Sequence, residues 1–423
     1  METIKITFEK IGHNGVSIGK FENKIVFAYG ILPGEEALVK VIKNKKNFIE
    51  AEVLEILNKS PYRVEAKENH YLSCSPWQTF SYDWQVKIKK DLLKEIYLKF
   101  ANIEIELKNF NRAKEIFGYR TKIEYSFLEE NEKNWFAFYK RGSFKEKIKL
   151  ENGCLLMDEQ ANYLALEILK EINKKRLKNL KSLIIRKAKR TSDIHISVLT
   201  KDKDQSFVYK NDKLSGFVFA FSNPKSPASR FDKVLNSWGR EYLKEKILNL
   251  EILYPYNSFF QNNIELFEKA LRVMIENSED FKKVVDLYSG VGVIGLSLKE
   301  KAKEILAVDI DKSSISYAKL NAEINGIKNF KALVLPSEKI SSELLEKVDL
   351  LILDPPRAGL HKKLIDLILK NKPENIFYLS CNPITQARDF NFLKNEYKIK
   401  GVYGFDFYPN TPHLECLLIL KRK

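Results

Sequence analysis

The sequence predicts a multidomain protein: a small N-terminal β-barrel, an α+β central region and a C-terminal doubly wound α/β domain. Three observations carry this expectation. At 423 residues the chain exceeds what one hydrophobic core usually supports. Its opening stretch alternates apolar and polar positions between glycine-bearing breaks. Its last third alternates short apolar runs with amphipathic helical stretches.

In chain order, Ile4-Lys5-Ile6-Thr7-Phe8 and Lys24-Ile25-Val26-Phe27-Ala28 read as short strands, broken at His13-Asn14-Gly15 and Pro33-Gly34. From Asp83 onward Val86, Ile88, Leu92, Leu93, Ile96 and Phe100 recur along one side of a helix, with lysines opposite. Lys122-Ile123-Glu124-Tyr125-Ser126-Phe127 and Ile194-His195-Ile196-Ser197-Val198-Leu199 read as strands of a mixed region. Val284–Leu287, Ile305–Asp309, Leu350–Asp354 and Ile376–Ser380 are successive buried strands, three of them with an Asp near the carboxyl end. In a doubly wound sheet that end is the ligand-binding edge.

The composition is that of a globular protein: 44% hydrophobic, 12% aromatic and 30% charged. These values exclude a largely disordered or collagen-like chain. Lys plus Arg number 72 against 56 Asp plus Glu, a net charge of +16, which favours polyanionic partners, nucleic acid first, or else serves solubility. The run from Lys170 to Arg190 contains one acid, Glu171, and predicts a basic face on folded structure. The opening METIKITFEK has no apolar core flanked by a cleavage site, and no window approaches a membrane span, so no membrane partner and a cytoplasmic location are expected. Four scattered cysteines, Cys74, Cys154, Cys381 and Cys416, fit a reducing compartment.

Chemistry concentrates in the last third. Asp286-Leu287-Tyr288-Ser289-Gly290-Val291-Gly292 is a glycine-rich turn opening a helix, where the backbone can approach a ligand and free N–H groups point outward. The next strand ends in Asp309, placed either to accept hydrogen bonds from both hydroxyls of an adenosyl ribose or to cap the following helix. Asp354-Pro355-Pro356-Arg357 forms a rigid rim, because proline fixes the backbone and carries no N–H. Ser380-Cys381-Asn382-Pro383 puts a thiol at the same edge. Carbon 5 of uracil is too weak a nucleophile to accept a methyl group unaided, and thiolate addition at carbon 6 would generate the enolate it needs. Glu415 supplies a base for the carbon-5 proton.

On these motifs the chain resembles the RNA uracil-5-methyltransferase family. Tyr119-Arg120-Thr121-Lys122 and Asn257-Ser258-Phe259-Phe260-Gln261-Asn262-Asn263 resemble two further family segments, and the first sixty residues resemble a TRAM domain, an OB-like RNA-binding barrel. The resemblance implies a Rossmann-like catalytic fold and S-adenosyl-L-methionine as cofactor. It implies Cys381 as nucleophile and Glu415 as proton acceptor, with Gln261, Tyr288, Asp309 and Asp354 contacting the cofactor. Phe259 would stack on a nucleobase or else belong to a core; Arg357, Arg120, Lys122 and His413 would contact substrate. The implied domains are a TRAM-like barrel over 1–60, a central RNA-binding domain over 61–255 whose helix 83–110 packs on the catalytic domain, and a catalytic domain over 256–423.

In the barrel Lys5, Lys10, Lys20 and Lys24 are offset by Glu2, Glu9, Glu22, Glu35 and Glu36, so the Lys43-Asn44-Lys45-Lys46-Asn47-Phe48 turn is its candidate RNA contact, with a solvated loop as the alternative. Many family members hold an iron–sulfur cluster on four cysteines, but only Cys74 and Cys154 stand in those neighbourhoods, so no cluster and no metal are expected. Asn410 replaces a common His, and Asp309 a common Glu. Cytosine-5 methyltransferases carry Cys where this chain has Arg357, which favours uracil. An RNA-binding or RNA-folding factor on a methyltransferase scaffold is the other alternative. The RNA expected is 23S rRNA, with the T-loop of tRNA second, and the enzyme is expected to act as a monomer.

Overall fold

The computed structural model describes residues 2–423 and divides into two compact units. The first comprises the chain to Leu93 together with Ala137–Leu150 and Tyr408–His413. The second comprises Lys94–Phe136, Glu151–Phe407 and Leu414–Lys423.

The alternation in the first sixty residues closes into a five-stranded barrel in the order Thr3–Ile11, Ser17–Phe21, Lys24–Ala28, Phe48–Asn58, Glu36–Asn44. The last of these pairs back onto the first, Ile4 opposite Val39 and Ile6 opposite Ala37, so no edge is left between them. Ile4, Ile6, Phe8, Val26, Ala28, Val39 and Ile49 fill the interior, each two residues from the next inward position of its strand. Gly15, at φ +76°, could not carry a Cβ: the added atom would lie 2.6 Å from Pro412 and 2.9 Å from the Trp77 indole nitrogen.

Glu35, counted above as surface charge, is wholly buried. Arg63 clamps it with two hydrogen bonds of 2.6 Å, and the backbone N–H groups of Leu32 and Ser60 donate at 2.8 and 3.0 Å. Removing one partner leaves an uncompensated charge inside the protein. Arg63→Ala is therefore expected to destabilise the first unit by about 3–5 kcal/mol. An unchanged midpoint for its unfolding transition would reject the clamp's importance.

The expected helix runs Tyr82–Ala101 and stops short of 110. Asn102 adopts left-handed φ (+52°), and Ile103-Glu104-Ile105-Glu106 then alternates half-buried and exposed positions, a strand-like period. At the helix's carboxyl end Tyr97 Oη donates to Gln386 Oε1 at 2.8 Å and Lys394 Nζ donates to the Ala101 carbonyl at 3.1 Å.

In the second unit a mixed sheet runs Lys233–Gly239, Gly216–Phe221, Ile194–Thr200, Leu180–Lys187, Lys122–Glu130, followed by the part of strand Lys133–Tyr139 up to Phe136. Helix Glu159–Lys174, capped by Asp158, buries Ala161, Leu164, Ala165, Ile168, Leu169 and Ile172 at helical spacing. The basic run from Lys170 to Arg190 is consequently not one face. Lys170, Lys174, Lys175, Arg176 and Lys178 are exposed, but Arg186 and Lys187 lie in a buried strand. There Arg186 donates to the Ser258 carbonyl, and Lys187 pairs with Asp158 at 2.6 Å.

The last third folds as the motif spacing predicts. Its eight-stranded sheet runs Phe330–Val334, Ala302–Asp309, Phe281–Leu287, Leu350–Leu353, Asn375–Ser380, Glu415–Arg422, Tyr397–Phe405, Asn109–Asn111. The first five strands are parallel and Glu415–Arg422 is antiparallel to Asn375–Ser380. From Phe281–Leu287 the chain winds outward on one side and then resumes at Leu350–Leu353 on the other. That reversal opens a crevice at the carboxyl ends of these two strands. Among the described residues no helix is long and apolar enough to cross a membrane.

Candidate active site

Strand register brings Cys381, Glu415 and Asp354 to one edge of the sheet. Ser380 pairs directly with Cys416, the last pair of the ladder, so Cys381 leaves its strand at the level of Glu415 and the two groups act on each other. On the other side Leu353 pairs with Tyr378, which puts Asp354 at the same rim.

The segment Asp354–Leu360 is held to the helix that begins after Cys381. Asn382 Nδ2 and Thr385 Oγ1 donate to the Arg357 carbonyl at 2.8 and 3.2 Å, and Arg388 donates to the Ala358 carbonyl at 3.0 Å. Asp389, wholly buried, accepts from the Leu360 N–H and the Tyr378 hydroxyl, both at 2.8 Å. Gly359 makes the tight return at φ +78°, where a Cβ would strike Asp389 at 2.6 Å. This bracing places the Arg357 guanidinium against the Cys381 sulfur. Asn382, Thr385 and Asp389 are supports that sequence reasoning missed; only the position of Asn382 beside Cys381 pointed to any of them.

Electrostatics follow from burial. The Cys381 thiol is pushed up to about 11 by burial, with the Glu415 and Asp354 carboxyls raising it and Arg357 opposing them. Burial and neighbouring Asp354 hold Glu415, 3% exposed, well above the usual carboxylate range, again against Arg357. Asp354 is pushed up to about 7 by burial. Asp286, fully buried, is pushed up to about 8 by burial and by Asp354 and Asp309, despite accepting the Gly295 N–H at 2.9 Å. Several carboxyls and a thiol displaced upward at one sheet edge mark a functional site. Because Cys381 titrates high, its alkylation by iodoacetamide in the RNA-free protein is expected to accelerate about tenfold per pH unit from neutral pH upward. A plateau near the ordinary thiol range of about 8.5 would contradict this, with the Cys381 peptide followed by mass spectrometry.

The glycine-rich turn and its neighbours are also held in place. Asp309 accepts the Gly290 N–H on Oδ2 and the Asp311 N–H on Oδ1, both at 2.8 Å, so it shapes the glycine turn. The helix cap is Asp311, which accepts from Ser313 and Ser314 N–H groups. Tyr288 takes φ +62° and Gly290 φ +53°, with open space where a Gly290 side chain would begin; at Gly292 a Cβ would meet Phe330 at 3.0 Å. Gln261 Oε1 and Ser289 Oγ are buried polar atoms without a hydrogen-bond partner among the described residues. An adenosyl ligand in the crevice would satisfy such groups, so these residues fit the implied cofactor.

Thr121 ties two motifs together: its N–H donates to the Asn262 carbonyl at 3.1 Å and its hydroxyl to the Gln261 carbonyl at 2.8 Å. Arg120 and Lys122 flank that anchor, Lys122 opposite Arg186, which with burial lowers the Lys122 pKa. Phe259 is 70% exposed, which removes the core reading for it. His413 belongs to the first unit, edge-on to Tyr408 at 6.1 Å. Asn410 is locked there too: it exchanges side-chain and backbone hydrogen bonds of 3.0 and 2.9 Å with Gln85, and its carbonyl accepts the Trp77 N–H.

Residues 81–423 match the family model described as tRNA (Uracil-5-)-methyltransferase, and residues 1–54 match the TRAM domain. An uncharacterized RNA methyltransferase of Caldanaerobacter subterraneus subsp. tengcongensis is 30% identical over all of this chain and 99% of its own. Another, from Clostridium tetani, is 32% identical over 99% and 96%. The crystal structure of the Pyrococcus abyssi tRNA (uracil-54, C5)-methyltransferase with S-adenosyl-L-homocysteine superposes with a TM-score of 0.79 at 24% identity. It covers 99% of this chain and 100% of that one, and shares the fold.

Proposed function

We propose, from the premise that this chain belongs to the tRNA (uracil-5-)-methyltransferase family of S-adenosyl-L-methionine-dependent RNA-modifying enzymes, that it methylates carbon 5 of a uridine through a covalent Cys381 adduct. The observation that carries this reading is the register that ends with Ser380 opposite Cys416, which sets Cys381 level with Glu415, with Glu415, Asp354 and Arg357 all acting on the Cys381 thiol. When bound, S-adenosyl-L-methionine supplies the methyl group, and Gln261, Tyr288, Asp309 and Asp354 would hold it. The Cys381 thiol gives up its proton to solvent, the thiolate forms a bond to carbon 6, and the carbon 5–carbon 6 π electrons move to the carbon-4 oxygen as an enolate. Arg357 stabilises the thiolate that adds and later leaves. After carbon 5 has taken the methyl group, Glu415 accepts its proton, the double bond re-forms and the sulfur departs. Exposed Phe259 would stack on a splayed base, with Arg120 and Lys122 beside it.

The test uses RNA carrying 5-fluorouridine, whose carbon 5 has no proton to surrender. A cofactor-dependent protein–RNA adduct stable to denaturation, mapping to Cys381, is the expected result. Its absence with RNA that is methylated when unfluorinated would refute the covalent route.

No residue of the sequence names the RNA; 23S rRNA is the first expectation, whereas the matched family's name and the tRNA activity of the Pyrococcus abyssi protein support a T-loop uridine. Mapping 5-methyluridine in both RNA pools from a deletion strain separates the two readings. The lysines of the exposed 43–48 turn would add a barrel contact to either RNA. Within the first unit Cys74 is the sole cysteine, next to a carboxylate and an imidazole, a donor set that does not suit a thiolate-ligated cluster. Anaerobically purified protein is expected to show neither visible cluster absorbance nor stoichiometric iron.

A further inference from the structure

The stretch between the barrel and the long helix has little regular structure: apart from one helical turn, Tyr71–Cys74, it is loops and bends. It nevertheless brings three unlike donors together. Ligand atoms of Glu68, His70 and Cys74 lie within 4.8 Å of one another. His70 Nε2 is 3.2 Å from Glu68 Oε1, and Cys74 Sγ is 4.0 Å from Glu68 Oε2. Donors around a tetrahedral zinc ion stand roughly 3.3–3.8 Å apart, given its usual bond lengths. The side chains of His70 and Glu68 are 5% and 7% exposed, so the group is largely shielded from solvent.

The surroundings orient these groups as ligands. His70 Nδ1 lies 3.3 Å from Asn69 Oδ1, which turns the Nε2 edge of the ring toward the other two donors. That Nε2 is buried and, despite its closeness to Glu68, makes no aligned hydrogen bond. Gln78, 3% exposed, donates from Nε2 to Glu68 Oε2 and to Ser75 Oγ, both at 3.0 Å. Its Oε1 accepts the Lys67 and Glu68 N–H groups at 2.5 and 3.1 Å. Ser75 Oγ in turn lies 3.1 Å from Cys74 Sγ. Such a second layer of hydrogen bonds fixes the direction of ligating side chains.

We propose that Glu68, His70 and Cys74 bind one divalent cation of the zinc class, a structural staple for this loop-rich segment. Nitrogen, oxygen and sulfur together suit zinc, with one further donor completing the tetrahedron. Binding would release the thiol proton, and the ion would supply folding energy to a segment poor in regular structure. The proposal does not depend on the methyl-transfer reading.

The test is cobalt(II) titration of the full-length, reduced, chelator-treated protein. One equivalent should give tetrahedral visible bands and a near-ultraviolet thiolate charge-transfer band, all displaced by zinc. Cys74→Ser should remove the charge-transfer band, and His70→Ala should weaken binding more than about tenfold. Circular dichroism controls for folding, and the wild-type titration decides without any variant. No binding, bands unchanged in both variants, or iron with acid-labile sulfide would each overturn the proposal.

Discussion

A Cys381→Ala protein is expected to retain RNA binding and to lose methyl transfer by a factor on the order of 10^4 or more, the scale seen when a covalent nucleophile is removed. Nothing else in the cluster can replace the sulfur: Glu415, Asp354 and Asp286 carry hard oxygen donors, all held above the usual carboxylate range by burial. Cys416 faces away in the alternation of its strand, is wholly buried and is pushed up to about 12 by burial. The substitution removes one partly accessible atom from the rim, so the fold should persist. The measurement is single-turnover transfer of labelled methyl groups to RNA, with binding followed separately. Transfer within tenfold of wild type would demand another nucleophile.

Glu415→Gln tests the second half of the cycle. Burial holds Glu415 above the usual carboxylate range, and an amide of the same shape keeps the size of the side chain while removing the oxygen that would take the proton. The variant should fold and still form the sulfur–carbon bond. It cannot accept the carbon-5 proton, so multiple turnover should fall about 10^2- to 10^4-fold. A methylated protein–RNA adduct should accumulate towards one equivalent and appear as a slow band on a denaturing gel. Near-normal turnover without an adduct would assign proton removal elsewhere.

Much of this site could be read from residue order because strands of a parallel sheet are short and apolar, and their carboxyl ends are where polar residues interrupt them. Asp309, Asp354 and Cys381 each follow such a run directly. What remained hidden are contacts between residues far apart in sequence and polar groups placed inside. Glu35 looks like any surface acid until Arg63, 28 residues on, is seen to clamp it. Arg186 belongs to an apparently basic surface run, yet strand pairing turns it inward against Ser258. The apolar periodicity through Phe100 matches the long helix, whereas the bound of 110 set with the implied domains ran too far; the left-handed turn at Asn102 is the local event that ends it. Asn410 reads as a loss relative to the family's His. In the structure its amide and backbone are matched to Gln85 and Trp77, a pairing that no local pattern encodes.

The antiparallel pairing of Asn375–Ser380 with Glu415–Arg422 acts as a ruler for the chemistry. Sliding the final strand by a single position would swap Glu415 for Leu414 or Cys416 and turn the acid to the opposite side of the sheet. Insertions and deletions between Phe405 and Glu415 are therefore neutral only when the ladder re-forms in its original alignment, and one-residue slips should silence the enzyme without unfolding it.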